Sequence, residues 1–229
     1  MNSRVVNKEI KKEIWSFLKN EGFSIFTTRK AWRYNKDIVE VVNFQSFNSY
    51  LAEEVGCTTY SFAVNLGIYF INIPNRFPNN PVKVKDGFML PNEYECDLRK
   101  VLLKNLTQPE LARKNIWYIN EAGDNIEMVM DDVKHLLISD GLKWFQKYSD
   151  MNAVLETLLN EEEDLNGTWG FGRKNSPIRN YTGGYIAYYL QKYKLASDLL
   201  EKTINSGCFE AVNERLQQDY KRIKESSLK

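Results

Sequence analysis

A chain of 229 residues, 43% hydrophobic and 13% aromatic, has enough apolar surface for one substantial core or two small ones, which excludes a disordered chain. Its 31 lysines and arginines against 30 aspartates and glutamates leave a formal charge of +1, so no global field draws it to nucleic acid or an anionic membrane. A nucleic-acid binder of this composition needs a local basic patch, and neither a nucleic-acid nor a membrane partner is expected from the whole-chain balance.

In chain order, Asn7 to Lys19 sets Ile10, Ile14, Trp15, Phe17 and Leu18 at the spacing of an amphipathic helix, and Asn20-Glu21-Gly22 supplies its stop. Phe23 to Phe26 and Ala31 to Tyr34 predict two short strands, and Asn35-Lys36-Asp37 turns into a longer one, Ile38 to Phe47. In that strand Val39, Val41, Asn43, Gln45 and Phe47 share a face. Asn48 to Thr58 reads as a loop or short helical piece. The strand Tyr60 to Phe70 organises the chain: Phe62, Val64, Leu66, Ile68 and Phe70 form one oily face, alternating with Ser61, Ala63, Asn65, Gly67 and Tyr69. Such short connections predict an antiparallel meander of about four or more strands.

Pro74, Pro78, Pro81 and Pro91, with Asn79-Asn80, exclude a central strand or long helix and predict a long surface excursion, either functional or a family-specific insertion. Glu93 to Asn105 is a strand or a helix start, and Trp117 to Ile119 a short strand or packed turn. Asp124 or Asn125 caps a helix burying Ile126, Val129, Met130, Val133, Leu136 and Leu137, followed by helical pieces over Gly141 to Tyr148 and Asn152 to Leu159. The acidic run Glu161 to Asp164 predicts a solvated linker near 161–167 rather than a metal site, because adjacent carboxylates cannot all face one ion. Beyond it, Gly183 to Tyr193 and Lys194 to Asn205 read as paired helices brought close by Ala187 and Ala196, with a last helix over Phe209 to Lys224. Strands followed by helices define the α+β class, with an N-terminal helix, an antiparallel sheet and a helical C-terminal half. The expected division is a sheet domain over 1–160 and a helical subdomain over 168–229.

The ordered set Gly22-Phe23, Trp32-Arg33-Tyr34, Val41 to Ser46, Phe62 to Gly67 and Cys96-Asp97-Leu98-Arg99 resembles the bacterial domain-of-unknown-function family 4304 over roughly residues 7–120. The resemblance implies a small cytoplasmic bacterial protein of mixed α and β structure with no established activity. Some related families act as immunity proteins that block a neighbouring toxin, so a cognate toxin or regulator is the partner this analogy suggests.

A cytoplasmic location also fits the polar stretch Met1 to Lys12, which lacks the apolar segment of a secretion signal. Cys57, Cys96 and Cys208, odd in number and without paired spacing, are expected to be reduced thiols. No nucleophile elbow, zinc spacing or phosphate loop occurs, and Gly170-Phe171-Gly172-Arg173-Lys174 lacks the spacing of the last. No catalytic residue, metal or cofactor is therefore assigned, and His135 meets Cys96 only if the fold brings them together.

Two constellations remain. Asn43, Gln45 and Asn65 sit at alternate positions of two strands and line a pocket face with Arg99, a fork for a carboxylate or phosphate; alternatively the amides bond within the sheet and Arg99 pairs with Asp97 or Glu95. Trp169, Phe171, Arg173, Arg179 and Tyr181 form the one local cluster of cations and rings, a partner-binding surface or a hinge. The expected function is a non-catalytic protein-binding factor, an immunity or regulatory protein. The alternative is a small-ligand-binding protein or enzyme with an anion-holding pocket on the sheet face.

Overall fold

The computed structural model describes residues 3–160 and 167–226, and opens with helix α1 over residues 3–20. Val6, Ile10, Ile14, Trp15 and Leu18 bury one stripe of it, and its middle turn, Ile10–Trp15, is widened into a π-helix. The amides of Gly22 and Phe23 bond back to Lys19 and Leu18, closing the helix where its stop signal lies.

Strands β1 (Ile25–Phe26), β2 (Lys30–Asn35), β3 (Ile38–Ser46) and β4 (Phe62–Phe70) form the expected meander, and helix α2 (Ser49–Val55) joins the last two. A two-residue hairpin of β5 (Val84–Lys85) and β6 (Phe88–Met89) stands apart from the sheet. Strands β7 (Leu98–Val101) and β8 (Thr168–Trp169) then complete a six-stranded antiparallel sheet in the order β1-β2-β3-β4-β7-β8. In the centre Val41 lies opposite Gly67, Val42 opposite Leu66 and Asn43 opposite Asn65.

The alternation of β4 predicts one oily face, yet all nine of its residues are buried. Phe62, Val64, Leu66, Ile68 and Phe70 meet the helices in the main core. The other face, with Val39, Val41 and Tyr69, packs under the proline-rich segment through Trp32, Leu90 and Cys96. Two polar anchors hold that strap: Trp32 Nε1 donates to Pro91 O (2.9 Å) and Tyr34 Oη to Met89 O (2.8 Å). Its hairpin closes on Asp86-Gly87, both at positive φ (51° and 82°), the type I′ geometry that this dipeptide favours. The excursion is thus a cover for the sheet, and the hairpin signal lay in two residues.

Helix α3 (residues 126–148) is continuous where two pieces are expected, because a widened turn, Leu137–Gly141, joins them. Asn125 stands at its N-cap, but the side chain is spent elsewhere, accepting from Asn120 N (3.2 Å) and donating to Tyr118 O (2.9 Å). Trp117 makes a single bridge to Phe62 and stacks on its ring. Helices α4 (Met151–Leu159), α5 (Pro177–Tyr189), α6 (Tyr193–Asn205) and α7 (Asn213–Ser226) follow. Helix α5 starts six residues before the expected Gly183, on a Ser176 cap and Pro177. Ala187 and Ala196 are buried as expected, but the tightest approach is at Gly184, where a Cβ would lie 2.6 Å from Leu200 Cδ2.

The acidic stretch of the expected linker, residues 161–166, lies outside the described residues. On either side of it, Phe145, Tyr181, Leu200 and Leu216 belong to the same core as Leu66, and β8 extends the sheet itself. The helical half therefore shares its apolar interior with the sheet.

Candidate binding cleft

Gly67 lets the turn Glu93–Glu95 press onto the sheet, since a Cβ there would lie 2.6 Å from Cys96 Sγ and 2.9 Å from Cys96 Cβ. Asn92 N donates to Glu95 Oε2 (2.6 Å) and shapes the turn. Buried Glu93 accepts both donors of the Arg99 fork, at 2.6 and 2.9 Å, and that guanidinium lies over Trp169, its carbon 3.7 Å from the ring centre. Between this turn, the end of β4 and the start of the strap lies a cleft of about 130 Å³.

The cleft combines a charged floor with an aromatic mouth. Buried Asp97 accepts from Arg76 Nη1 (2.9 Å) and from Phe70 N (3.1 Å). Arg76 Nε is buried with no partner among the described residues. Burial pushes the Tyr69 phenol up to about 12. Phe77 and Tyr94 flank the cleft at 58% and 64% exposure. The strap is tied to the C-terminal helices behind it: Tyr181 Oη donates to Pro74 O (2.7 Å), and Arg215 Nη2 to Asn75 O (2.9 Å) and Tyr181 Oη (2.8 Å).

Desolvation holds the Asp97 carboxyl above its ordinary value despite Arg76 and the Phe70 amide. The folded chain therefore holds this proton more tightly than the unfolded chain does: the stabilisation is full below the unfolded value of about 4 and is lost as pH rises through the raised folded value. Thermal melts across that window should show the advantage of wild type over Asp97→Asn largest at the acid end and shrinking with pH. An advantage that grows with pH would mean that the Arg76 pairing outweighs burial.

None of the four proposed sheet-face residues lines this cleft. Asn65 Nδ2 donates to Gln45 Oε1 (2.8 Å) with Asn43 across the register, while Arg99 is held by Glu93 rather than by Asp97 or Glu95. Two of the three amides bond each other across the sheet, and the arginine orients the turn. Of the five cluster residues, Trp169 and Arg173 are exposed, whereas Phe171, Arg179 and Tyr181 are buried. Tyr181 packs the helical half against the strap, while Arg179 binds the end of α4 and lies over the Phe171 ring, so all three are turned inward. His135 is exposed on α3 and Cys96 sits beneath the strap, so the fold does not join them. The three cysteines are free thiols. Sequence reasoning missed Arg76, Phe77 and Tyr94, which no local pattern marks, and took Asp97 only as a partner for Arg99. Only the strap's closure on the sheet brings them together.

Among the described residues no group of His, Cys, Asp and Glu is placed to hold a metal ion, and no helix is long and apolar enough to cross a membrane. The fold and the cleft define an α+β protein with helices on one face of an antiparallel sheet and a strapped side cleft on the other. Residues 5–147 match the model of the domain of unknown function DUF4304, and the chain belongs to that family. No curated protein and no solved structure matches it. The matched segment holds α1, the sheet up to β7 and the whole cleft; α4 to α7 and β8 lie beyond it.

Proposed function

We propose that this protein is a cytoplasmic bacterial binding factor without catalytic activity, and that the strapped cleft grips a cognate protein, as an immunity or regulatory factor does. One observation carries the reading: Phe77 and Tyr94 stand largely exposed on either side of a cleft whose floor is a buried charge pair. Aromatic anchors around a desolvated centre are the features that concentrate binding energy at protein interfaces. Exposed Val84 and Phe88 on the neighbouring hairpin widen the apolar rim. By contrast, the alternative anion pocket has little support, since Glu93 already takes both donors of Arg99.

The test is co-expression of the tagged protein with its neighbouring open reading frames, followed by affinity capture. A stoichiometric protein partner is expected. The paired substitution Phe77→Ala and Tyr94→Ala should weaken it by about 2 kcal/mol or more, roughly thirtyfold, while leaving the melting temperature unchanged. Capture that is indifferent to both substitutions, or no retained protein even at low salt, overturns the reading.

A further inference from the structure

The lining of the strapped cleft holds donors that the fold leaves without acceptors. Arg76 gives Asp97 one bond, from Nη1 (2.9 Å), and its buried Nε has no partner among the described residues. The phenol of Tyr69, on the same lining, makes no hydrogen bond among them either. A donor enclosed without an acceptor is unfavourable, so this lining calls for one.

The surrounding charges decide which kind of acceptor enters. Two carboxylates, Glu95 and Asp97, line the cleft against the one cation Arg76, and Asp97 already holds that guanidinium. An incoming anion would therefore meet two like charges and a cation already paired. A cation would set donor against donor. An uncharged carbonyl meets neither objection. Glu95 supplies the complementary group: its Oε2 accepts from Asn92 N (2.6 Å) and Asn92 Nδ2 (2.9 Å), while its other oxygen has no bond among the described residues. The space of about 130 Å³ is close to the roughly 150 Å³ that holds a benzene ring, so it admits one side chain and not a strand of backbone.

We propose that the cleft receives a side-chain carboxamide, an asparagine or glutamine of the protein partner, whose carbonyl accepts from Arg76 and Tyr69 and whose amino group donates to Glu95. The inference rests on the cleft being the partner's site and adds which side chain enters it. Phe77 and Tyr94, exposed at the mouth, then flank the stem of that side chain.

Propionamide, propionate and propylammonium share a shape and differ in charge, and they test the chemistry on the full chain without the partner. The readout is the ring signal of Tyr94 in protein carrying isotope-labelled tyrosine, assigned by its loss in Tyr94→Phe. Propionamide should shift that signal saturably and bind at least about tenfold tighter than either charged probe. Tyr69→Phe removes a phenol that no hydrogen bond of the fold uses, and should weaken propionamide about threefold or more at an unchanged melting temperature. Arg76→Lys keeps a cation for Asp97 without the Nε donor, and should abolish the preference for the amide. Equal binding of the three probes, tighter binding of a charged one, no shift from any, or indifference to both substitutions overturns the proposal. A protein partner captured although propionamide fails to bind would leave the cleft reading intact and remove this inference alone. Propionamide binding with no captured partner would keep the carboxamide site and remove the partner.

Discussion

Arg179→Ala is expected to destabilise the protein by about 3 kcal/mol, seen as a lower urea midpoint at unchanged slope, because three carbonyls lose their donor together. Arg179 is only 3% exposed, and its guanidinium reaches the C-terminal end of α4, where Nε donates to Leu158 O (2.6 Å) and Nη2 to Thr157 O (3.0 Å) and also to Asn160 O. A helix end leaves its last carbonyls unpaired, and here one buried cation from α5 satisfies them in favourable alignment with the helix dipole. Burial lowers the guanidinium from its usual range, so the site charges the fold something for this cap. Arg179→Lys keeps the charge without the planar fork and should recover part of the loss. If Arg179→Ala melts like wild type while losing a captured partner, the arginine serves recognition, and its structural role here is wrong.

The second large effect is expected at Gly67. Alanine in the middle of a strand is ordinarily mild, but here the added methyl would meet Cys96 Sγ at 2.6 Å and Cys96 Cβ at 2.9 Å. Overpacking of this kind costs about 1 to 3 kcal/mol and shifts whatever is softest. Cys96 directly follows the turn Glu93–Glu95, which carries Tyr94 at the cleft mouth, so Gly67→Ala should reduce both stability and capture of the partner. Adding Cys96→Ala removes the sulfur contact at 2.6 Å but leaves the Cβ at 2.9 Å, so the double variant should recover part of the stability and not all of it. Strictly additive losses would show that the two residues are not in contact.

Legibility in the sequence followed the range of the forces involved. Alternation in β3 and β4, the apolar stripe of α1 and its stop at Asn20-Glu21-Gly22 are local patterns, and they give the elements directly. The resemblance carried by Trp32-Arg33-Tyr34 and the strands after it likewise leads to the family. What local patterns could not show was which surface each element turns away from water. Asn43, Gln45 and Asn65 look like pocket residues while the other face of the sheet is taken as open. Asn65 instead bonds Gln45 within the sheet, and residues of the strap and of the turn before β7 make the cleft. Arg179 and Tyr181 read as a sticky surface because cations and rings do, yet long-range contacts to α4 and to Pro74 make them interior.

The sequence by itself determined the α+β class, the order from α1 through β4, the C-terminal run of helices, and the absence of a global electrostatic field. Periodicity, turn chemistry and summed charge need no knowledge of neighbours far along the chain. Only the tertiary structure decided that six strands share one sheet and that a proline-rich strap covers part of its second face. Those are consequences of burial and pairing between residues separated by tens of positions, and desolvation then shifts the groups enclosed there, as it raises Asp97.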